Sequence, residues 1–135
     1  MDLVVTVPKD LWADWIAEGD PADSAEPPTG IEWGFYVGWR QPDMRIGDRL
    51  YIVSWGKLRG YAPITRVMET ERGWAIIREG GAVAVTIPEP IVGFRGFRKR
   101  WWMRSHERPF PAWKTSGVDR RVQERIAQMA LMEMR

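Results

Sequence analysis

The sequence predicts an α+β fold that is rich in β-strands: a small β-barrel with an N-terminal helix and a C-terminal helix. Between residues 32 and 102, short runs of β-branched and aromatic residues recur about every 8–12 residues and are separated by turn residues. The two stretches with helical spacing lie near the two ends of the chain instead. The length of 135 residues suits one domain, so we expect residues 1–135 to fold together.

The N-terminal part predicts a strand, a helix and a loop. Residues 3–7 are mostly β-branched and end before a proline, as a short strand does. Residues 10–18 place apolar side chains at helical spacing, so we expect a helix whose Trp12 and Trp15 belong to the core. Residues 19–31 are acidic and contain three prolines, and we expect them to form a mobile loop.

The middle of the chain predicts a series of strands. They are expected at residues 32–39, 49–54, 58–70, 74–78, 82–87 and 91–102. The run at 58–70 is interrupted by Pro63, which cannot donate a backbone hydrogen bond. We expect the strands at 74–78 and 82–87 to pair as a hairpin.

The C-terminal segment, residues 116–134, predicts a helix. Ser116 and Asp119 have the spacing of a capping box, which satisfies free amides at a helix start. An apolar stripe follows, and we expect it to pack against the strands. The alternative is that the methionine-rich end of the helix binds a protein partner or a second copy of the chain.

The composition excludes several classes of protein and site. The chain has no cysteine, which excludes disulfides, thiolate metal sites and cysteine nucleophiles. The N-terminus lacks the features of a signal peptide, and no apolar run reaches the ~18–20 residues of a membrane span. We therefore expect a cytoplasmic protein that has no membrane partner.

Charge is distributed unevenly along the chain. The first 32 residues hold one base and eight acids, whereas the rest holds 19 bases and 10 acids. A molecule polarised in this way can present a basic face to a polyanion. Sixteen of the 20 bases are arginine, whose planar group suits phosphate, although a GC-rich genome would produce the same excess.

Nine tryptophans are more than a core of this size needs. A buried tryptophan needs a hydrogen-bond partner for its indole N–H, so a surplus of tryptophans is typical of a pocket or an interface. Four of them lie at or near predicted strand ends, where the cleft of a barrel opens: Trp33, Trp39, Trp55 and Trp74. We expect these four to line a base-binding cleft, and the alternative is that they pack in the core.

Residues 94–108 combine positive charge with aromatic rings. The cations are Arg95, Arg98, Lys99, Arg100, Arg104 and Arg108, and the rings are Phe94, Phe97, Trp101 and Trp102. Cations that contact phosphates beside rings that stack on bases are typical of proteins that bind single-stranded nucleic acid. We assign this contact to the arginines, the lysine and the tryptophans between residues 95 and 102. The alternative is a solvated edge strand whose charges prevent aggregation.

No catalytic centre is evident in the sequence. The single histidine, His106, excludes a paired-histidine metal site, and no hydrolase, metalloprotease or phosphate-loop motif is present. We therefore assign no catalytic residue, cofactor or metal ligand, and we favour a binding module over an enzyme.

Residues 44–67 resemble the central hairpin of PUA-like domains, particularly those of the ASCH and EVE families. Gly47-Asp48 occupies the turn before the hairpin, and Gly60 occupies a close-packed position in the return strand. The resemblance implies a small barrel whose cleft takes a nucleobase of RNA or of modified DNA. In the EVE pattern a hydroxyl-bearing turn follows the first strand, and Ser54-Trp55 stands at that place.

The predicted function is that of a nucleic-acid-binding module which recognises RNA or a modified DNA base in an aromatic cleft. Lys57 follows the Ser54-Trp55 turn and is included in that site. One alternative is a nucleoside amidohydrolase on the same barrel, using Lys57 with Glu69 or Glu32, although the Lys/Glu-rich motif of such ASCH members is missing. The other alternative is a protein-interaction module.

Overall fold

The computed structural model describes residues 1–18 and 33–133. Its elements are β1 Leu3–Thr6, α1 Trp12–Glu18, β2 Trp33–Gly38, β3 Arg49–Ser54, β4 Lys57–Pro63, β5 Arg66–Thr70, β6 Gly73–Arg78, β7 Val85–Thr86, β8 Phe97–Lys99, β9 Arg108–Pro109 and α2 Arg120–Glu133. Short 3₁₀ turns precede α1 and β9. The predicted α+β class, with a helix near each end, is confirmed. The loop expected at residues 19–31 lies outside the described residues.

The described strands form three sheets rather than one closed sheet. The strand orders are β4-β3-β1-β8, β2-β6-β5 and β7-β9. Strand β1 runs parallel to β3, with Leu3 opposite Leu50, and the remaining pairs are antiparallel. Parallel pairing is possible because α1 and β2 intervene and return the chain in the same direction.

Side chains of the four-stranded sheet alternate between two cores, so this sheet is buried on both faces. The larger core includes Leu3, Val5, Trp12, Leu50, Ile52, Ile76, Trp113 and Ile126. The smaller core includes Val4, Tyr51, Val53, Leu58, Ile87, Ile91 and Trp102. Burial on both faces explains why residues 3–7 form an apolar run with little polar alternation.

The chain passes from the four-stranded sheet to the three-stranded sheet at Pro63. Strand β4 ends there, as the sequence predicts. The next two amides bond to different strands: Ile64 N–H donates to the Asp48 carbonyl at 3.1 Å, and Thr65 N–H donates to the Ile77 carbonyl at 2.9 Å. The interruption of the predicted strand at 58–70 is therefore a change of sheet.

Two strand predictions in the second half of the chain are wrong. Residues 74–78 and 82–87 do not form a hairpin, because β2 and β5 occupy both edges of β6, and β7 pairs with β9. The strand expected at 91–102 is reduced to Phe97–Lys99. Gly96 has a φ of 72°, a left-handed conformation that interrupts the extended chain just before β8.

The start predicted for the C-terminal helix is also wrong. Helix α2 begins at Arg120, and Asp119 caps it by accepting the Arg121 N–H at 2.8 Å. The capping box predicted at Ser116 does not form, because the helix starts only at Arg120; the Ser116 hydroxyl instead accepts a hydrogen bond from Lys57 Nζ at 3.2 Å. Ile126 packs in the larger core, so the apolar stripe of the helix contacts the rest of the fold as predicted.

Candidate nucleic-acid interface

Strand β8 is an edge strand among the strands described, because it pairs with β1 alone. Arg98 lies opposite Val4 and Lys99 lies opposite Leu3, and both cationic side chains are exposed. Charges on an edge strand prevent two sheets from joining edge to edge. The same position leaves these charges open to a ligand.

Five residues on and beside β8 carry the cations and rings of this edge, and we call them the basic edge patch: Phe94, Arg95, Arg98, Lys99 and Trp101. Because Arg98 shares a face of the sheet with Val4 and Lys99 shares the other face with Leu3, the patch extends around the sheet edge. The Arg98 guanidinium carbon lies 4.3 Å from the centroid of the Phe94 ring, and the Phe94 and Trp101 centroids are 6.3 Å apart. Trp101 remains 53% exposed. The patch therefore presents an open indole ring beside a guanidinium group.

Among the residues that the structure describes, the three cations of the basic edge patch have no acidic partner. Within residues 1–18 and 33–133, no ion pair or hydrogen bond joins Arg95, Arg98 or Lys99 to a carboxylate. Unpaired cations clustered along one edge of a sheet attract polyanions, and they do so most strongly at low ionic strength. With respect to the described residues, the patch can therefore bind an anion without first breaking an ion pair.

Trp101 rests on a rigid support. Its ring contacts Trp102 edge to face, with centroids 5.0 Å apart. Trp102 is buried, and its Nε1–H donates to Glu107 Oε2 at 2.9 Å. The same oxygen accepts the Tyr51 hydroxyl at 2.6 Å. Burial and this hydrogen bond raise the pKa of Tyr51 to about 12, so the phenol stays protonated and keeps donating at neutral pH.

Arg100 and Arg104 belong to an internal ion-pair network rather than to the basic edge patch. Both guanidinium groups donate to the buried Asp2 carboxylate, Arg104 at 2.7 and 2.9 Å and Arg100 at 3.1 Å. Asp2 also accepts the Arg49 backbone N–H at 2.9 Å. Arg100 and Trp102, which the sequence predicts to bind nucleic acid, therefore support the basic edge patch from inside the fold.

The Asp2 network makes stability depend on pH. Burial by itself would raise the pKa of Asp2, but the hydrogen bonds from Arg49, Arg104 and Arg100 outweigh it and lower that pKa below its usual range. A lowered pKa stabilises the fold above the unfolded-state value of about 3.9, and this contribution is lost as pH falls through the folded-state value.

We expect Asp2→Asn to lower the free energy of unfolding by about 2 kcal/mol at pH 7, because charge-assisted hydrogen bonds are lost. The difference from wild type should shrink as pH falls from 4 to 2, which urea unfolding at several pH values measures. Asp43→Asn, at an exposed position, is the control and should change little. A difference that stays constant down to pH 2 would contradict the network.

The turn between β3 and β4 holds Ser54, Trp55 and Lys57 in structural contacts. The buried Ser54 hydroxyl donates to the Val7 carbonyl at 2.8 Å, and Lys57 Nζ donates to Ser116 as described above. Trp55 has a φ of 52°, which is uncommon for a bulky residue, and its buried Nε1–H has no hydrogen-bond partner among the described residues. Ser54 and Lys57, both predicted to be site residues, therefore stabilise this turn through hydrogen bonds.

The other tryptophans predicted to line a cleft lie in different surroundings. Trp39 follows β2 and is 75% exposed. Trp74 on β6 is half-buried and packs against the larger core, as does Trp55. The side chain of Trp33 lies outside the described part of the chain. No ring contact joins any two of Trp39, Trp55 and Trp74 within that part.

An aromatic pocket is formed instead by tryptophans that the sequence does not assign to a site. Trp12 and Trp15 stack with ring centroids 5.4 Å apart, and Trp113 meets Trp12 edge to face at 5.8 Å. The pocket has an empty volume of about 380 Å³, counting the space at its open mouth. Its remaining walls are Leu50, Ile52, Arg59, Gly60, Tyr61, Ala62, Arg78 and Ala82.

Sequence reasoning misses this pocket because Trp12 and Trp15 are predicted to be core residues. Trp12 is buried, but Trp15 is only half-buried and its ring lines the pocket. The only signal in the sequence is their spacing of three residues, which puts both rings on one face of a helix. Nothing in the sequence connects them to Trp113.

The basic edge patch and the aromatic pocket lie at opposite edges of the four-stranded sheet. The pocket uses β3 and β4, whereas the patch uses β8, and the strand order is β4-β3-β1-β8. Adjacent strands are about 4.8 Å apart, so β4 and β8 are separated by about 14 Å. The aromatic pocket and the basic edge patch are therefore two separate surfaces rather than one cleft.

Of the two carboxylates expected to act with Lys57 in an amidohydrolase, the one that the structure describes, Glu69, is not paired with it. Lys57 bonds to Ser116, whereas Glu69 is exposed on β5 in the other sheet, and Glu32 lies outside the described residues. In the part of the chain that the structure describes, no three His, Asp or Glu side chains are grouped closely enough to share a metal ion. Among the same residues, no helix has both the length and the apolar character needed to cross a membrane.

Comparison with protein-family models, with curated proteins and with solved structures finds no match to this chain.

Proposed function

We propose that the protein binds single-stranded nucleic acid, either RNA or DNA that carries a modified base, through the basic edge patch. The observation that supports this most directly is the group of three cations near the exposed ring of Trp101, which have no carboxylate partner among the described residues. Phosphates are neutralised by such cations, and unpaired bases stack on such rings.

The contacts in the basic edge patch favour separate roles for the cations and for the Trp101 ring. Arg95, Arg98 and Lys99 would contact phosphates of a strand that lies along the sheet edge, because all three are exposed on or beside β8. A base would stack on Trp101, whose edge-to-face contact with Trp102 fixes its orientation without covering the ring. A ring that is already held in place loses little conformational entropy when a base stacks on it.

We also propose that the two larger sheets are the halves of an open barrel of the PUA-like kind. The chain runs from the end of β4 at Pro63 through two residues into β5, and this connection links the sheets on one side. On the other side, the guanidinium carbon of Arg40, just after β2, lies 4.4 Å from the ring centroid of Phe97 on β8. In the hairpin that resembles the family, a Cβ at Gly60 would come within 2.6 Å of the Val83 carbonyl oxygen, which fits the predicted close-packed glycine.

The triple variant Arg95→Gln, Arg98→Gln, Lys99→Gln tests the proposed interface. Each phosphate contact on a single strand contributes about 0.7 to the slope of log K against log salt, so the slope should decrease by about 2. At 0.1 M salt the affinity should fall about 100-fold. Fluorescence anisotropy with a labelled oligonucleotide, measured between 50 and 300 mM salt, would give both values.

A matched control removes three exposed cations elsewhere, with the substitutions Arg45→Gln, Arg72→Gln and Arg121→Gln. Both triple variants have the same net charge, so only the position of the charges differs. We expect the control to keep most of the wild-type slope. Equal losses in the two variants would mean that net charge, and not the basic edge patch, determines binding.

A further inference from the structure

A buried arginine that has no counter-charge among the described residues lines the aromatic pocket. Arg59 is 1% exposed, and its guanidinium group forms four hydrogen bonds, all to backbone carbonyls. Nε donates to Ser54 at 2.8 Å, Nη1 donates to Trp113 at 3.2 Å and to Ser116 at 2.7 Å, and Nη2 donates to Trp55 at 3.3 Å. Within the described residues, no carboxylate pairs with this cation.

The electrostatic environment of Arg59 is unusual for a buried cation. Buried charges in proteins are normally paired with an opposite charge, because carbonyl dipoles replace only part of the lost hydration. Burial lowers the pKa of Arg59 to about 10, and this guanidinium group remains charged at neutral pH. Acceptors in the described part of the chain use four of its five N–H groups, and the remaining N–H, on Nη2, has no acceptor among those residues.

Apart from Arg59 and a second buried arginine, Arg78, the pocket is lined mostly by apolar side chains. The indole rings of Trp12, Trp15 and Trp113 form one side, and β3 contributes Leu50 and Ile52 on the other. Trp12 is fully buried, with Trp15 stacked on its ring, so the half-buried Trp15 offers the accessible indole face. Pockets that take small molecules combine such apolar walls with very few oriented polar groups. A ligand that fits this arrangement has a flat face for Trp15 and an anionic oxygen for Arg59.

We propose that the pocket binds a small planar anion, one or two fused aromatic rings that bear a carboxylate. One free N–H gives Arg59 a single charge-assisted hydrogen bond, which suits one carboxylate oxygen better than the several oxygens of a phosphate. This site is separate from the basic edge patch and does not depend on the nucleic-acid function proposed for that patch.

Calorimetry with a matched pair of probes tests the proposal. Indole-3-carboxylate and its neutral analogue indole-3-carboxamide have the same shape and differ in charge. We expect the carboxylate to bind the full chain with 1:1 stoichiometry and a dissociation constant below about 1 mM. The amide should bind at least about ten-fold more weakly, because it lacks the charge that Arg59 would pair with.

Two variants locate the binding without disturbing the hydrogen bonds of Arg59. Ala82→Phe fills the mouth of the pocket from a half-buried position, and Trp15→Ala removes one wall on the helix surface. Each should weaken carboxylate binding by at least ten-fold, whereas Trp101→Ala on the basic edge patch should leave it unchanged. Thermal unfolding of each variant would verify that it is folded.

Three results would overturn the proposal. The first is no binding of the carboxylate at concentrations up to 5 mM, and the second is equal affinity for the carboxylate and the amide. The third is binding that survives both Ala82→Phe and Trp15→Ala in folded protein, since the ligand would then occupy another surface. None of these results bears on oligonucleotide binding by the basic edge patch, so the two proposals can fail separately.

Discussion

Trp12→Ala is expected to lower the free energy of unfolding by about 3–5 kcal/mol, the usual cost of truncating a fully buried tryptophan. Trp12 has no exposed surface and contacts the rings of Trp15 and Trp113. Its Nε1–H donates to the Lys114 carbonyl at 2.9 Å. The residue therefore joins α1 to a segment about 100 residues later in the chain, and truncation leaves both a cavity and an unpaired carbonyl.

Urea unfolding followed by circular dichroism would measure this loss. Trp12→Phe keeps much of the apolar ring but removes the N–H, so we expect roughly half the effect of Trp12→Ala. Trp39→Ala, at a position that is 75% exposed, should change stability by less than about 0.5 kcal/mol. Equal stabilities of the Trp12→Ala and Trp39→Ala proteins would show that Trp12 is not a core residue.

Gly73→Ala is expected to cost about 3 kcal/mol or more. Gly73 starts β6 with a φ of 101°, a conformation that residues with a Cβ rarely adopt. A Cβ at this position would also overlap the carbonyl oxygen of Gly38, which is backbone and cannot rotate away. Relief of the overlap would require β2 and β6 to separate where Gly38 lies opposite Trp74.

Gly47→Ala separates the backbone strain from the steric overlap, the two causes of the loss of stability expected for Gly73→Ala. Gly47 has a φ of 94°, close to that of Gly73, but a Cβ there would meet no atom within 4 Å. We therefore expect Gly47→Ala to cost only the conformational strain, about 1–2 kcal/mol. Equal losses in the two variants, measured by urea unfolding, would mean that the Gly38 contact contributes nothing.

The sequence predicts local structure well where local forces determine it. The hairpin of β3 and β4 lies where its pattern predicts, because Trp55-Gly56 forms a two-residue turn in which both residues have positive φ. The interruption at Pro63 has a similarly local cause, the missing N–H of proline.

Strand partners could not be predicted in the same way. The spatial neighbours of residues 82–87 are too distant in the sequence for turn residues to reveal them. Strand β7 pairs with β9, and the Tyr61 and Val83 backbones exchange hydrogen bonds at 2.8 and 3.0 Å. Strand β1 pairs with β8, more than 90 residues away. Such pairings depend on the packing of both cores, and no short pattern in the sequence predicts that packing.

The candidate site was predicted in part. The run of cations and rings identifies Arg95, Arg98, Lys99 and Trp101, which the structure leaves exposed. It does not separate them from Arg100, whose partner Asp2 is 98 residues away. The aromatic pocket depends likewise on a contact between α1 and Trp113 that forms only in the folded chain.

The central claim, that single-stranded nucleic acid lies on the basic edge patch, is tested most directly by nuclear magnetic resonance. An unlabelled RNA or DNA octamer would be titrated into ¹⁵N-labelled protein. We expect the indole N–H signal of Trp101 and the backbone amides of residues 94–101 to shift together, while the indole signal of Trp39 stays in place. Unchanged signals at Trp101 and residues 94–101, or shifts confined to Trp39 or Trp15, would contradict the account.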